Sequence, residues 1–449
     1  MAGLRARYET RLVGLRSSEM AKAAGLAGAM IANNVIALGS TVVFARLLSD
    51  YGSLAALVSY FLILSVVGQA IQVATAREGV LGHLGVGPGL IATLKRWTRS
   101  MAVFTAVLTV VSVILREPIA QAVGVKHNAW AAAIGLPAGC LWLELSILRG
   151  ALQGVGDYKS VGLSLIGEQS VRLISGAALA AAGMGVTGAY LGTPISFIVM
   201  CLYCAVALRR YAARSQAPAG GAPAIGLWTH VQRAWAPIAG LIVIAVLQNI
   251  DIIAAKHRFN GVTDLASSYA ATAVAAKVLI WVAMGAGFYL VPETSRRRAT
   301  GEDTRPVLAR ALAIILVCAV PVLLIFAFGA TPLLRAAFGA NRLKATDSLL
   351  ILGIAFTALA GTYLAIQYML ALKRTWFLLP MAVIAVAEPV LLLQASRQPA
   401  GFAAVVLGVQ LLGALVAFSL ALWPDRGAAR PDAPPPAVVD REPASLEVA

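Results

Sequence analysis

Apolar residues come in long runs separated by short polar breaks. Each run lasts roughly 20 residues, the length a helix needs to cross about 30 Å of hydrocarbon. Twelve such runs lie at about 23–45, 53–75, 98–115, 129–148, 160–182, 186–208, 235–255, 268–291, 307–328, 346–371, 376–395 and 401–423. A backbone in lipid must satisfy its own polar groups, so each run predicts an α-helix.

Composition agrees. Of 449 residues, 59% are hydrophobic and 12% charged, against about 25% charged in soluble domains. Such a chain cannot cover a water-facing surface and reads as a polytopic membrane protein. The net charge of +16 would suit nucleic acid, but the basic residues fall in short loops rather than on one face, which excludes that partner. Cys140, Cys201, Cys204 and Cys318 all lie inside apolar runs. The Cys201–Cys204 pair lacks a second pair or a nearby histidine, so it reads as small buried hydrophobes, and no metal site is expected. No loop is long enough for a soluble catalytic domain. Without a GxxxxGK(S/T) motif, no P-loop hydrolysis of nucleotide is expected either. The GVGPG at Gly85–Gly89 reads as a flexible loop. No cofactor and no enzymatic step are called for.

The basic residues set the orientation. With the N-terminus inside, about 25 arginines and lysines fall on the cytoplasmic side against about nine outside, a positive-inside bias. The inner groups include Lys95–Arg96–Arg99, Arg209–Arg210–Arg214, Arg296–Arg297–Arg298 and Lys373–Arg374. Residues 1–22 carry Arg5, Arg7, Arg11 and Arg16 with leucines at helical spacing. They form either an interfacial amphipathic helix or a solvated basic arm. Residues 23–208 hold six spans and 235–423 another six. The Pro/Gly/Ala-rich stretch 209–234 reads as a cytoplasmic linker, and the Pro- and charge-rich 424–449 as a disordered tail. "FARLLSDYGSLAALVSYF" and "AAKHRFNGVTDLASSYAAT" echo one another after the first span of each half. That pattern predicts parallel repeats about an axis along the membrane normal.

Few charges lie within the runs: Glu144, Glu168, Arg172, Lys277 and Glu388, with Asp251 near an outer end. Facing lipid, each would cost several kcal/mol (about 3 on insertion scales), so each is expected to face the bundle interior or a hydrated cavity. Glu168 and Arg172, four apart, share a helical face. Two readings stand side by side: a lock between helices, or a site whose arginine meets an anionic ligand. Lys277 has no acid three or four residues away, so its counter-charge must come from elsewhere, and a ligand phosphate would serve. Asn33, Asn34, Gln69, Gln72, Gln248 and Asn249 could bond sugar hydroxyls or join helices to one another. Prolines 137, 194, 321, 380 and 389 fall within spans and predict kinks.

Three segments carry a family resemblance. "FARLLSDYGSLAAL", "LRGALQGVGDYKSVGLSLIGEQSVRLISG" and "QNIDIIAAKHRFNGVTDLASSYAATAVAAKVLIWV" resemble, in order, signatures of the Wzx-type polysaccharide flippases of the MATE-like MOP superfamily. The resemblance spans about residues 20 to 423. It implies an all-α membrane fold, with two six-helix lobes around a central cavity that opens alternately to each side. It also implies transport of a lipid-diphosphate-linked oligosaccharide across a bacterial plasma membrane. By position, Asp251, Lys256 and Lys277 fall on the family's seventh- and eighth-span segment. The expected diphosphate contacts are then Arg172 and Lys277, and the sugar contacts Asn33, Asn34, Gln248 and Asn249. Glu144, Glu168, Asp251 and Glu388 are the acids available to proton or sodium coupling. Expected partners are the lipid-linked glycan, membrane lipids and proteins of glycan synthesis. The lipid II flippases of the same superfamily differ in having fourteen spans, and cation-coupled drug exporters in an acidic first-span site that is missing here. A multidrug exporter of the same fold and a transport-inactive cell-wall scaffold are the alternatives. A membrane glycosyltransferase would need larger outer loops.

Overall fold

The computed structural model describes residues 25–26, 28–214, 232, 235–259 and 263–423. The expected N-terminal segment 1–22, most of the linker and the tail lie outside the described residues. Those described contain helices and no strand.

The first half holds α1 (Gly28–Leu47), α2 (Tyr51–Val80), α3 (Pro88–Ile114), α4 (Arg116–Val123), α5 (Ala129–Gly154), α6 (Tyr158–Leu179) and α7 (Gly185–Arg214). The second holds α8 (Trp235–Arg258), α9 (Thr263–Ala276), α10 (Val278–Thr300), α11 (Arg305–Phe328), α12 (Ala330–Phe338), α13 (Leu349–Ala371), α14 (Leu378–Gln394) and α15 (Pro399–Leu422). Among the described residues, 10 helical stretches are long and apolar enough to cross a membrane. One of these, Tyr158–Arg214, contains two spans. They are separated where Gly183 adopts φ 94°, a left-handed backbone that glycine takes at no steric cost. The 17-residue Leu378–Gln394 supplies the last, so all twelve expected spans are present. α4 and α12 were not expected. These short helices follow the third and ninth spans, in corresponding places of the two halves. Helix α7 continues to Arg214, past the expected start of the linker.

Packing partners repeat between halves. α5 packs on α2, α3 and α7, while α13 packs on α10, α11 and α15. α6 lies on α7 as α14 lies on α15, and α2 lies against α8, joining the halves. Small residues permit the closest approaches. A Cβ on Gly192 would come within 2.6 Å of the Arg172 carbonyl oxygen, so glycine lets α6 and α7 touch backbone to backbone. Outward faces remain apolar, with Phe328 88% and Leu379 76% exposed. In water that would be costly, but in lipid it is expected. The chain is a multi-pass membrane protein.

Candidate functional site

The structure gathers most of the buried charges into two clusters, one in each half. In the first, Glu168 of α6 lies between two arginines. Arg172 Nη2 donates to Glu168 Oε1 at 2.7 Å, one turn along the same helix. Arg149 of α5 places Nη1 2.9 Å from Glu168 Oε2. Sequence reasoning missed Arg149 as a site residue because it sits at the end of the fourth apolar run, where arginines commonly reach the interface. Instead it is fully buried. Its Nε donates to Ser164 Oγ and its Nη2 to the Ser164 carbonyl, each at 2.8 Å. The Trp142 ring lies 5.6 Å from its guanidinium carbon.

These contacts change the expected pair into a triad. Two cations share one carboxylate, which leaves an excess of one positive charge. The two arginines are not equivalent. Arg149 is held on three sides, whereas 20% of the Arg172 side chain is exposed. Arg172 Nε has no hydrogen-bond partner among the described residues, and the Phe197 ring lies 5.4 Å from its guanidinium carbon. The excess charge is therefore presented at Arg172. Glu144, on α5, stands apart and accepts from Thr98 Oγ1. Its second oxygen has no partner among the described residues.

The second cluster supplies a finding that the sequence did not anticipate. Lys277 finds its counter-charge within the protein: its Nζ is 3.0 Å from Asp251 Oδ1 of α8, so no ligand phosphate is needed to neutralise it. Lys277 sits at the break between α9 and α10, with its ammonium 5.2 Å from the Phe356 ring. Asp251 lies inside α8 and is completely buried. Glu388 of α14 is also fully buried and accepts from Gln410 Nε2 at 3.0 Å. The same nitrogen donates to the Leu247 carbonyl at 3.0 Å. Glu388 Oε2 and Asp251 Oδ2 find no hydrogen-bond partner among the described residues. Tyr269 lies within electrostatic reach of both acids. Two acids face one lysine here, so this cluster carries an excess of one negative charge while both acids are ionised.

The amides divide. Asn33 and Asn34 bond each other at 3.3 Å on α1, with Asn34 exposed and Asn33 half-buried. Gln248 is half-buried and Gln69 exposed. Asn249 is buried and donates to the Ala245 carbonyl at 2.9 Å, which commits it to its own helix. Of the prolines, 137, 194, 321 and 389 lie inside helices as expected, and Pro292 is a further one. Two shallow grooves along α14, lined by residues such as Val383, Val386 and Leu391, offer no charged group.

Neither a family model nor a curated protein sequence matches this chain. Solved structures do. The lipid II flippase MurJ in an inward closed conformation superposes with a TM-score of 0.67 at 15% identity, over 89% of this chain and 88% of that one. An inward-facing multidrug resistance MATE family transporter of the MOP superfamily gives 0.65 at 13% identity, over 87% and 93%. The fold is that of the MOP-superfamily transporters. The Vibrio cholerae MATE transporter VcmN in its bent form gives 0.57 at 15% identity, over 90% and 97%. These neighbours are transporters and a flippase, not enzymes.

Proposed function

We propose that this protein is a flippase that carries a lipid-diphosphate-linked oligosaccharide, or a related cell-envelope glycan precursor, from the inner to the outer leaflet of a bacterial plasma membrane. The observation that carries the reading is the two-to-one ratio of arginine to carboxylate around Glu168, with the excess charge at Arg172. A diphosphate headgroup cannot shed its water in hydrocarbon, so its spontaneous crossing is prohibitively slow. A cation held within the bundle, beside Glu168 and the Phe197 ring and with one donor unspent, lowers that barrier. The prenyl tail meanwhile stays in lipid. A guanidinium also matches phosphate geometry through its planar fork. No covalent bond is broken.

The second cluster supports coupling. Its odd negative charge is matched when Glu388 or Asp251 takes up a proton or a sodium ion. Neutralising Asp251 also frees Lys277, which then becomes a second contact for the headgroup. Asn33, Asn34 and Gln248 are the amides still available to sugar hydroxyls; Asn249 is not. A multidrug exporter for organic cations is the second reading, favoured by this same pair of acids. Against it, both acids are fully buried and Lys277 already occupies one of them.

Ligand protection separates the two readings. Purified protein in detergent is heated with a polyprenyl diphosphate, with the corresponding monophosphate, or with a quaternary ammonium dye. A ligand at about 100 times its Kd adds about 2.7 kcal/mol of stability. The diphosphate should raise the melting temperature in the wild type and fail to do so in Arg172→Gln. Protection by the dye alone overturns the proposal.

A further inference from the structure

One face of the molecule is fastened by side chains that cap helix ends across the two halves. The last carbonyls of a helix have no intrahelical donor and carry partial negative charge. At the end of α1, the carbonyls of Ala45, Leu48 and Ser49 receive the buried Arg342 of the second half, at 3.3, 2.6 and 3.0 Å. In return, Arg46 of α1 donates Nε to the Ala337 carbonyl at the end of α12, at 3.2 Å. Its Nη2 donates to the neighbouring Ala336 carbonyl.

A corresponding contact is made at the end of α8. His257 Nε2 lies 2.9 Å from the Ala122 carbonyl at the end of α4. There Gly124 takes φ 79°, and a Cβ on it would meet the imidazole at 3.2 Å. Each half thus extends the end of its first span onto the short helix of the other half. Between these caps, Lys256 Nζ pairs with Asp50 Oδ1 at 2.7 Å. The Gly52 amide donates to Ser267 Oγ at 2.9 Å. On the opposite face, Arg374 caps Ala421 and Trp423 of its own half, at 3.1 and 3.3 Å.

We propose that these reciprocal caps are the gate that shuts the outer face, with Arg46 and Arg342 as its two pins. Every contact in the set joins spans 1–6 to spans 7–12, so the outer face opens only when all of them part. Separating them leaves helix-end carbonyls without their guanidinium donors until water replaces these, so the outward-open state is disfavoured until something offsets that loss. Which face is called outer rests on the basic-residue asymmetry and not on the flippase reading.

The test uses the full chain in lipid nanodiscs and no substrate, so it can fail while the flippase reading survives, and the reverse. Cys140, Cys201, Cys204 and Cys318 are replaced by alanine. Spin labels are placed at the exposed Glu117 of α4 and Arg335 of α12, and their separation is measured by pulsed electron resonance. The parent should give one short distance. Arg46→Gln, at an exposed position that leaves packing intact, should add a longer-distance population. Arg46→Gln with Arg342→Gln should make it dominant. Lys344→Gln, which removes an exposed ion pair with Asp264 inside the second half, should change nothing. An unaltered distribution in Arg46→Gln and in the double variant overturns the proposal. So does an equal effect from Lys344→Gln.

Discussion

Glu168→Gln removes one carboxylate and leaves two guanidinium groups without their counter-charge. At 2.7 and 2.9 Å, and with an effective dielectric constant of about 20, each arginine is attracted to Glu168 by about 6 kcal/mol before desolvation is subtracted. The net loss differs between the two. The Arg149 side chain is 0% exposed and cannot turn to water, so stranding it should cost about 3–5 kcal/mol. The Arg172 side chain is 20% exposed and should lose about 1 kcal/mol. Neutralising Arg149 as well should therefore recover most of the stability lost in Glu168→Gln. Neutralising Arg172 should not, because Arg149 would remain unpaired. A double-mutant cycle isolates these couplings. Unfolding in mixed micelles with increasing dodecyl sulfate, followed by tryptophan fluorescence, gives the required free-energy differences. If Glu168→Gln with Arg172→Gln proves as stable as the parent, the triad is not the unit described here. Arg172 would then be a lock on Glu168 and nothing more.

Two further predictions follow from other parts of the molecule. Reporter fusions after Arg214 and Arg298 should read cytoplasmic and those near Asn128 and Gly261 external; a reversed pattern would invert the gate as well as the direction of transport. At Asp50, burial raises the carboxyl pKa but Lys256 and Ser53 outweigh it, holding it below the ordinary 3.8. A lowered value means that the ionised contact is fully present above the ordinary pKa and is lost only as pH falls through the lowered one. The Lys256–Asp50 contact should thus persist between about pH 8 and about pH 5, and a lengthening of the Glu117–Arg335 label distance within that window that Asp50→Asn abolishes would contradict the assignment.

The spans were legible because hydrocarbon thickness fixes their length whatever their neighbours. All twelve appear where apolar runs lie, and the weak echo after the first and seventh spans corresponds to repeated packing partners. The site was legible only in part. Glu168 and Arg172 could be paired from their spacing on one helix, which needs no tertiary information. Arg149 could not be found by that rule, because its partner lies on the next helix. A usable signal existed: Arg149 and Ser164 stand almost equally far from Gly156 on either side, so an antiparallel hairpin brings them together. The Lys277–Asp251 pair offers no such symmetry about its turn, and only the packing of α8 against the break at Lys277 reveals it. α4 and α12 escaped notice because helices of eight and nine residues are too short to show a membrane-length run.

The central claim is that Arg172 moves a diphosphate headgroup through the bundle. The direct measurement is leaflet exchange in proteoliposomes loaded with an undecaprenyl-diphosphate oligosaccharide, read as the fraction of sugar reached by an impermeant oxidant over time. Wild-type protein should expose the inner-leaflet pool. Arg172→Lys should do so more slowly, because a lysine keeps the charge without the planar fork. Arg172→Gln, folded and equally abundant, should match protein-free vesicles. Exchange at the wild-type rate in Arg172→Gln would contradict the account.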